Sequence, residues 1–221
     1  MPHQRLAYDD KLQRILRIAS EVFSDKGYHQ ASIRDISRAT GVSLSGLYYY
    51  VDSKEELLFR IQEHAFGTLL ENLEGLLEGV EDPHRKLRLL IENHLRFFVA
   101  NMKEMKVLSH EADSLSGEPR EHVDAMKREY ARLATDIVTE LAGSEPAIDV
   151  RVATFSLFGM LNWIYNWYRP GRDIPVDELA DDIHRLFLTG LLPLEDDVPA
   201  DAARTAPGTA RPNIWKKTGS G

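Results

Sequence analysis

The stretch Ala31 to Leu57 constrains this chain most, because its helix starts and stops follow one another too closely for anything but short helices joined by tight turns. Ser32-Ile33-Arg34-Asp35 has the capping-box form, and Ser53-Lys54-Glu55-Glu56 repeats it. Between the two boxes, Gly41 follows directly on the apolar stripe Ile33, Ile36 and Ala39, and Ser43 can cap a third helix reaching Tyr50. Ile33, Ile36, Ala39, Val42 and Leu47 can bury against an earlier helix built on Leu12, Ile15, Leu16, Ala19, Val22 and Phe23 and ended by Gly27. The turn at Gly41 sets the second and third helices at a large angle. The third helix is left to expose small residues, which let a helix sink into a major groove, and tyrosine hydroxyls, which can reach phosphates from its flanks.

The second box opens a long helix carrying Leu57, Leu58, Ile61, Leu69, Leu73 and Leu76. Asp82-Pro83 then starts a helix with Leu87, Leu90, Ile91, His94, Leu95 and Phe98 on one face. Gly117 and Pro119 read as punctuation before a helix from Val123 to Leu141. An apolar helix from about Ala147 to Tyr168 and a last helix from Val176 to Leu191 follow, stopped by Pro170-Gly171 and Pro193. No strand pattern interrupts this series, so the expected fold class is all-α. Residues 1–52 form a three-helix helix-turn-helix unit and residues 53–194 a larger helical unit, with 53–79 as the connecting helix. Residues 195–221, rich in Ala, Pro, Thr and Gly, lack apolar periodicity and read as a flexible tail.

Charge is divided unevenly along the chain. Residues 1–60 carry 9 Lys and Arg against 8 Asp and Glu, whereas the remainder carries 18 against 27, so the net charge of −8 belongs to the larger unit. A near-neutral head on an acidic body suits a DNA binder that places a few phosphate contacts instead of presenting a basic patch. The absence of cysteine excludes disulfides, thiolate metal sites and a cysteine nucleophile, and fits a cytoplasmic chain. Met1 to Asp10 lacks the apolar core and cleavage pattern of a secretion signal. The uncharged run Val152–Tyr168 includes Thr154, Ser156, Asn162 and Asn166 and is shorter than the roughly 20 apolar residues of a membrane span, so it reads as a buried helix at a homodimer interface. His110-Glu111 with Asp113 lacks any His-x-x-x-His partner, so no metal is expected; nor is a cofactor or catalysis, there being no phosphate loop or nucleophile elbow.

The run from Ser32 through Ile33-Arg34-Asp35-Ile36, Ala39, Gly41-Val42-Ser43, Leu47-Tyr48, Tyr50 and Ser53-Lys54-Glu55 resembles the helix-turn-helix signature of the TetR family of bacterial repressors. The resemblance covers about the first quarter of the chain. It implies a dimer on palindromic double-stranded operator DNA, with Leu44, Ser45 and Tyr48 facing bases and Ser32, Tyr49, Tyr50 and Lys54 holding phosphates. Leu44 stands where Lys or Arg is frequent, Gly46 where Thr or Ser is usual and Val51 where Phe is usual. The family's larger domain binds a small-molecule effector.

Trp163 and Trp167, four apart, lie on one helix face, with Asn162, Asn166 and Arg169 adding donors beside an apolar wall. That stretch resembles the penultimate helix of TetR-type regulators of fatty-acid or sterol breakdown, which respond to acyl-coenzyme A thioesters. The resemblance implies an acyl-coenzyme A as first effector and a hydrophobic drug as second, with His94, Phe98, Trp163, Trp167 and Arg169 as ligand-binding candidates. A helical small-molecule carrier or enzyme sharing only the N-terminal pattern is the rival from another class.

Overall fold

The computed structural model describes residues 2–111, 114–144 and 146–191, and every regular element within them is a helix. The expected tail and Asp113 lie outside these residues. The order is α1 Pro2–Lys26, α2 Ile33–Thr40, α3 Leu44–Tyr48, α4 Lys54–Leu77, α5 Pro83–Ala100, α6 Met102–His110, α7 Gly117–Ala142, α8 Val150–Asn162, α9 Ile164–Trp167 and α10 Val176–Leu191. No described helix is long and apolar enough to cross a membrane.

Helices α1 to α3 close over a core of Ile15, Leu16, Ala19, Phe23, Ile36 and Leu47, and Leu57 and Leu58 of α4 seal it. Gly41, with φ near +70°, turns the chain between α2 and α3 in the left-handed region that a side chain disfavours. Ile33 and Val42 are half-buried as expected, but Ala39 is exposed; the buried residue at the end of α2 is Thr40, one helical turn beyond Ile36. Its hydroxyl donates to the Ile36 carbonyl at 2.8 Å, which satisfies the polar group where the stripe would otherwise ask for an aliphatic one.

Beyond the head, α4 packs on α5 and α7, α5 on α10, and α7 on α8. Three elements differ from the sequence expectation. Helix α6 has no counterpart in it: this helix follows α5 after Asn101 alone, has no side-chain cap and is held by burial of Met105, Val107 and Leu108. Gly117 and Pro119 do not interrupt a helix but form the first turn of α7, where a proline's missing N–H costs nothing. The apolar helix begins only after Asp149, whose carboxylate accepts the Val152 N–H at 2.9 Å, and it is not continuous to Tyr168. At Trp163 the winding tightens, with the Asn166 N–H bonding the Trp163 carbonyl three residues back, and the short α9 follows.

One lysine ties the head to α4. The Lys54 ammonium donates to the carbonyl oxygens of Tyr28 at 2.9 Å and Ala31 at 3.2 Å, and sits 4.4 Å from the centre of the Tyr28 ring. Hydrogen bonds from a charged donor to half-buried carbonyls contribute about 1.5–3 kcal/mol, with a cation–π share in addition. Lys54→Met is expected to lower the unfolding free energy by about 2 kcal/mol in a urea titration. A lysine turned outward to a phosphate would leave the stability nearly unchanged on the same substitution.

Candidate nucleic-acid interface and ligand cleft

Helix α2 is built around its first turn. The Ser32 hydroxyl accepts the Asp35 N–H at 3.2 Å and donates to the Asp35 carboxylate at 2.6 Å, while the Ser32 N–H bonds that carboxylate at 3.0 Å. Lys26, 2.7 Å from Asp35, and the Ser32 donors hold this carboxyl well below the usual carboxylate range. The Ser32 hydroxyl is therefore engaged in the cap, although its residue is exposed.

Helix α3 is pinned by Leu47, which is fully buried, and capped by Ser43, whose Oγ accepts the Gly46 N–H at 3.1 Å. Leu44 and Ser45 face outward and are exposed, as are Tyr48 at 52% and Tyr49 at 72%. Tyr48 is thus presented to solvent and not packed on α1. Tyr50 is half-buried, with its ring edge-on to Tyr49 and the Lys11 ammonium 5.7 Å from its centre. Gly46 has a steric reason: a Cβ there would lie 2.9 Å from the Val42 Cγ1 and 3.1 Å from the Ser43 hydroxyl. Lys54 stands apart from this outward set, because its amine is turned onto the Tyr28 and Ala31 carbonyls, which differs from the phosphate role expected of it.

A second feature lies in the larger unit, an apolar cleft of about 530 Å³ between α4, α5, α6, α7 and α8. Of the expected ligand residues, His94, Phe98 and Trp163 line it. Trp167 and Arg169 do not. Past the tightened turn at Trp163, the Trp167 indole stands edge-on to Tyr168, and the Arg169 guanidinium folds back onto the carbonyls of Tyr168 at 3.0 Å and Asn166 at 3.2 Å, satisfying the end of α9. The lining residues that sequence reasoning missed include Phe66, Met105, Lys127, Tyr130 and Phe158. Tyr130 falls within the helix expected from Val123 to Leu141, but nothing in the sequence placed it opposite His94.

His94 is the polar centre of this wall. Its ring stacks on Phe98 with centroids 4.1 Å apart, Nε2 is 3.2 Å from the Asn162 side-chain oxygen, and Nδ1 is 3.4 Å from the Tyr130 hydroxyl. Burial pushes the imidazole down to about 3, against a smaller upward effect of the Asn162 bond, so it is neutral near pH 7. Burial likewise pushes the Tyr130 phenol up. A neutral histidine among phenylalanines, both of whose ring nitrogens are engaged, brings no charge to the wall, which suits a ligand that is mainly apolar.

Comparison with known proteins places both features in context. The family model described as "Bacterial regulatory proteins, tetR family" matches residues 15–61, and that described as "Tetracyclin repressor-like, C-terminal domain" matches residues 80–191. The fatty acid metabolism regulator protein of Bacillus subtilis (strain 168) is 24% identical over 185 residues, covering 82% of this chain and 95% of that protein. The HTH-type transcriptional repressor KstR2 of Mycolicibacterium smegmatis is 23% identical over 201 residues, 89% and 96% of the two chains. Among solved structures, the regulator PfmR of Thermus thermophilus aligns with a TM-score of 0.72 and 33% identity over 81% of this chain and 100% of that one. AibR, in complex with isovaleryl coenzyme A and operator DNA, aligns at 0.70 and 27% identity over 80% and 97%.

The burial of His94 has a measurable pH consequence. The unfolded chain takes up a proton near pH 6.5 that the folded chain refuses until about pH 3, so the stability tied to neutral His94 is complete above pH 6.5 and declines as pH falls below it. Between pH 7 and pH 5 the parent is expected to lose about 2 kcal/mol more unfolding free energy than His94→Gln. Urea titrations of both proteins at the two pH values measure the difference; equal losses would show that His94 titrates normally in the folded state.

Proposed function

The chain belongs to the TetR family of bacterial transcriptional regulators, and on that premise we propose that it is a homodimeric, ligand-responsive repressor whose effector is an acyl-coenzyme A. In this reading residues 1–52 read DNA and residues 53–194 bind ligand and dimerise. Leu44, Ser45 and Tyr48 meet base edges in the major groove, and Tyr49 and Tyr50 reach phosphates. Ser32 acts chiefly by holding α2, and Lys54 by holding the head.

The observation that carries the proposal is an outward-facing α3 in the same chain as an apolar cleft whose buried histidine is hydrogen-bonded and neutral. Lys127 lines that cleft, and Arg151 lies over the ring of Phe155, another lining residue. Cations beside an apolar recess suit a thioester whose acyl part is buried and whose phosphates stay at the rim. The relative named for fatty-acid metabolism and the structure bound to isovaleryl coenzyme A point the same way.

The exposed apolar residues Val152 and Phe155 on α8 and Leu186 on α10 supply a face for a second copy. Helix α4, 24 residues long, spans about 36 Å, so a tilt of about 5° at its ligand end moves the head by ~3 Å. That spoils the fit of two recognition helices set about 34 Å apart on operator DNA. A ligand that binds better to the tilted form needs no contact with the DNA.

In sedimentation at micromolar concentration the protein should run at twice its 25.1 kDa chain mass, and Leu186→Glu should shift it toward monomer. Genomic fragments retained by the protein should be released by decanoyl-coenzyme A and not by coenzyme A. Tyr48→Ala should weaken operator binding about tenfold or more while helix content and dimer mass stay unchanged. Retention of no fragment would overturn the repressor reading; retention without release by any acyl-coenzyme A would overturn the effector alone.

A further inference from the structure

Three side chains, Tyr130, His94 and Asn162, form a hydrogen-bond chain that ends at the cleft, and its direction is set at the Asn162 end. The Asn162 Oδ1, 3.2 Å from the His94 Nε2, is an acceptor only, so the neutral imidazole carries its proton on Nε2 and donates there. The His94 Nδ1 is then an acceptor for the Tyr130 hydroxyl, 3.4 Å away. With Oδ1 turned to His94, the other end of the Asn162 amide is Nδ2, a donor only.

Asn162 is well placed for this. It is the last residue of α8, exposed on the cleft lining beside Trp163, whereas His94 behind it is buried. We infer that the Asn162 Nδ2, oriented through His94 and Tyr130, is the recognition point for a carbonyl oxygen on a ligand whose apolar part lies among Phe98, Met105 and Phe158. This rests on the cleft being the effector site and adds what the effector must carry: an acceptor at the mouth, as in a thioester or ketone, since a donor there would meet a donor. Tyr130 and His94 are positioning residues, and Asn162 is the contact. Because Asn162 is exposed, water satisfies it in the absence of a ligand, so the discrimination is of the order of tenfold and not the larger penalty of a sealed site.

Calorimetric titration of the full chain with decanoyl-coenzyme A and with S-decyl-coenzyme A, in which a methylene replaces the thioester carbonyl, tests this. The parent should bind the thioester about tenfold more tightly than the thioether. Asn162→Ala and Asn162→Asp should bring the two affinities together by weakening only the thioester, and Tyr130→Phe should narrow the ratio several-fold. The ratio is the informative quantity, because general loosening of the cleft lowers both affinities alike. Equal affinities in the parent, or a preference that survives both Asn162 substitutions, would overturn the inference and leave the effector reading intact. Binding of neither compound would overturn the effector reading and the inference with it.

Discussion

The buried stripe of α4 is the constraint on which the rest of the molecule depends. Leu57 and Leu58 close the core of the first three helices, and Leu69 and Leu73 enter the core shared with α5 and α7, with Ile61 and Ala65 between them. One continuous helix therefore serves two packed regions, and close packing along it leaves little room for one to shift without the other. Lys54 adds a polar tie at the head end, and Asn93, bonded to the Leu69 carbonyl, adds one at the other. The cleft opens on the same helix, at Phe66 and Leu69.

Helix α6 gives the cleft a second route to the head. Met105 and Leu108 line the cleft, while Glu104, on the adjoining face, accepts the hydroxyl of Ser20 in α1 at 2.9 Å. A displacement of α6 thus reaches α1 directly, without passing through the length of α4.

What was legible in the sequence was what is decided locally. The caps at Ser32, Ser43 and Ser53, the left-handed turn at Gly41 and the long apolar stripe of α4 depend on residues within a turn or two of one another, and all follow from spacing alone. The departures share a different cause. Helix α6 has no side-chain cap to mark its start and is held by neighbours remote in sequence; Ala39 and Thr40 exchange places because a hydroxyl can satisfy itself on the preceding turn. Trp167 and Arg169 group with Trp163 only on the assumption of one unbroken helix, and the tightened turn at Trp163 separates them. Lys54 has the register of a phosphate ligand, but the carbonyls of Tyr28 and Ala31 lie more than 20 residues upstream and leave no mark near it.

The contact between Gly46 and Val42 bears on how such a chain could acquire a new target. A Cβ at position 46 requires the stiff Val42 side chain to move, so a residue larger than glycine there carries a local cost in this arrangement. Leu44, Ser45 and Tyr48 are exposed, and no buried packing there resists replacement by side chains of other lengths. In the proposed docking, divergence of operator preference among descendants of this protein runs through those three positions, whereas a residue larger than glycine at 46 comes with a shift of the Val42 side chain.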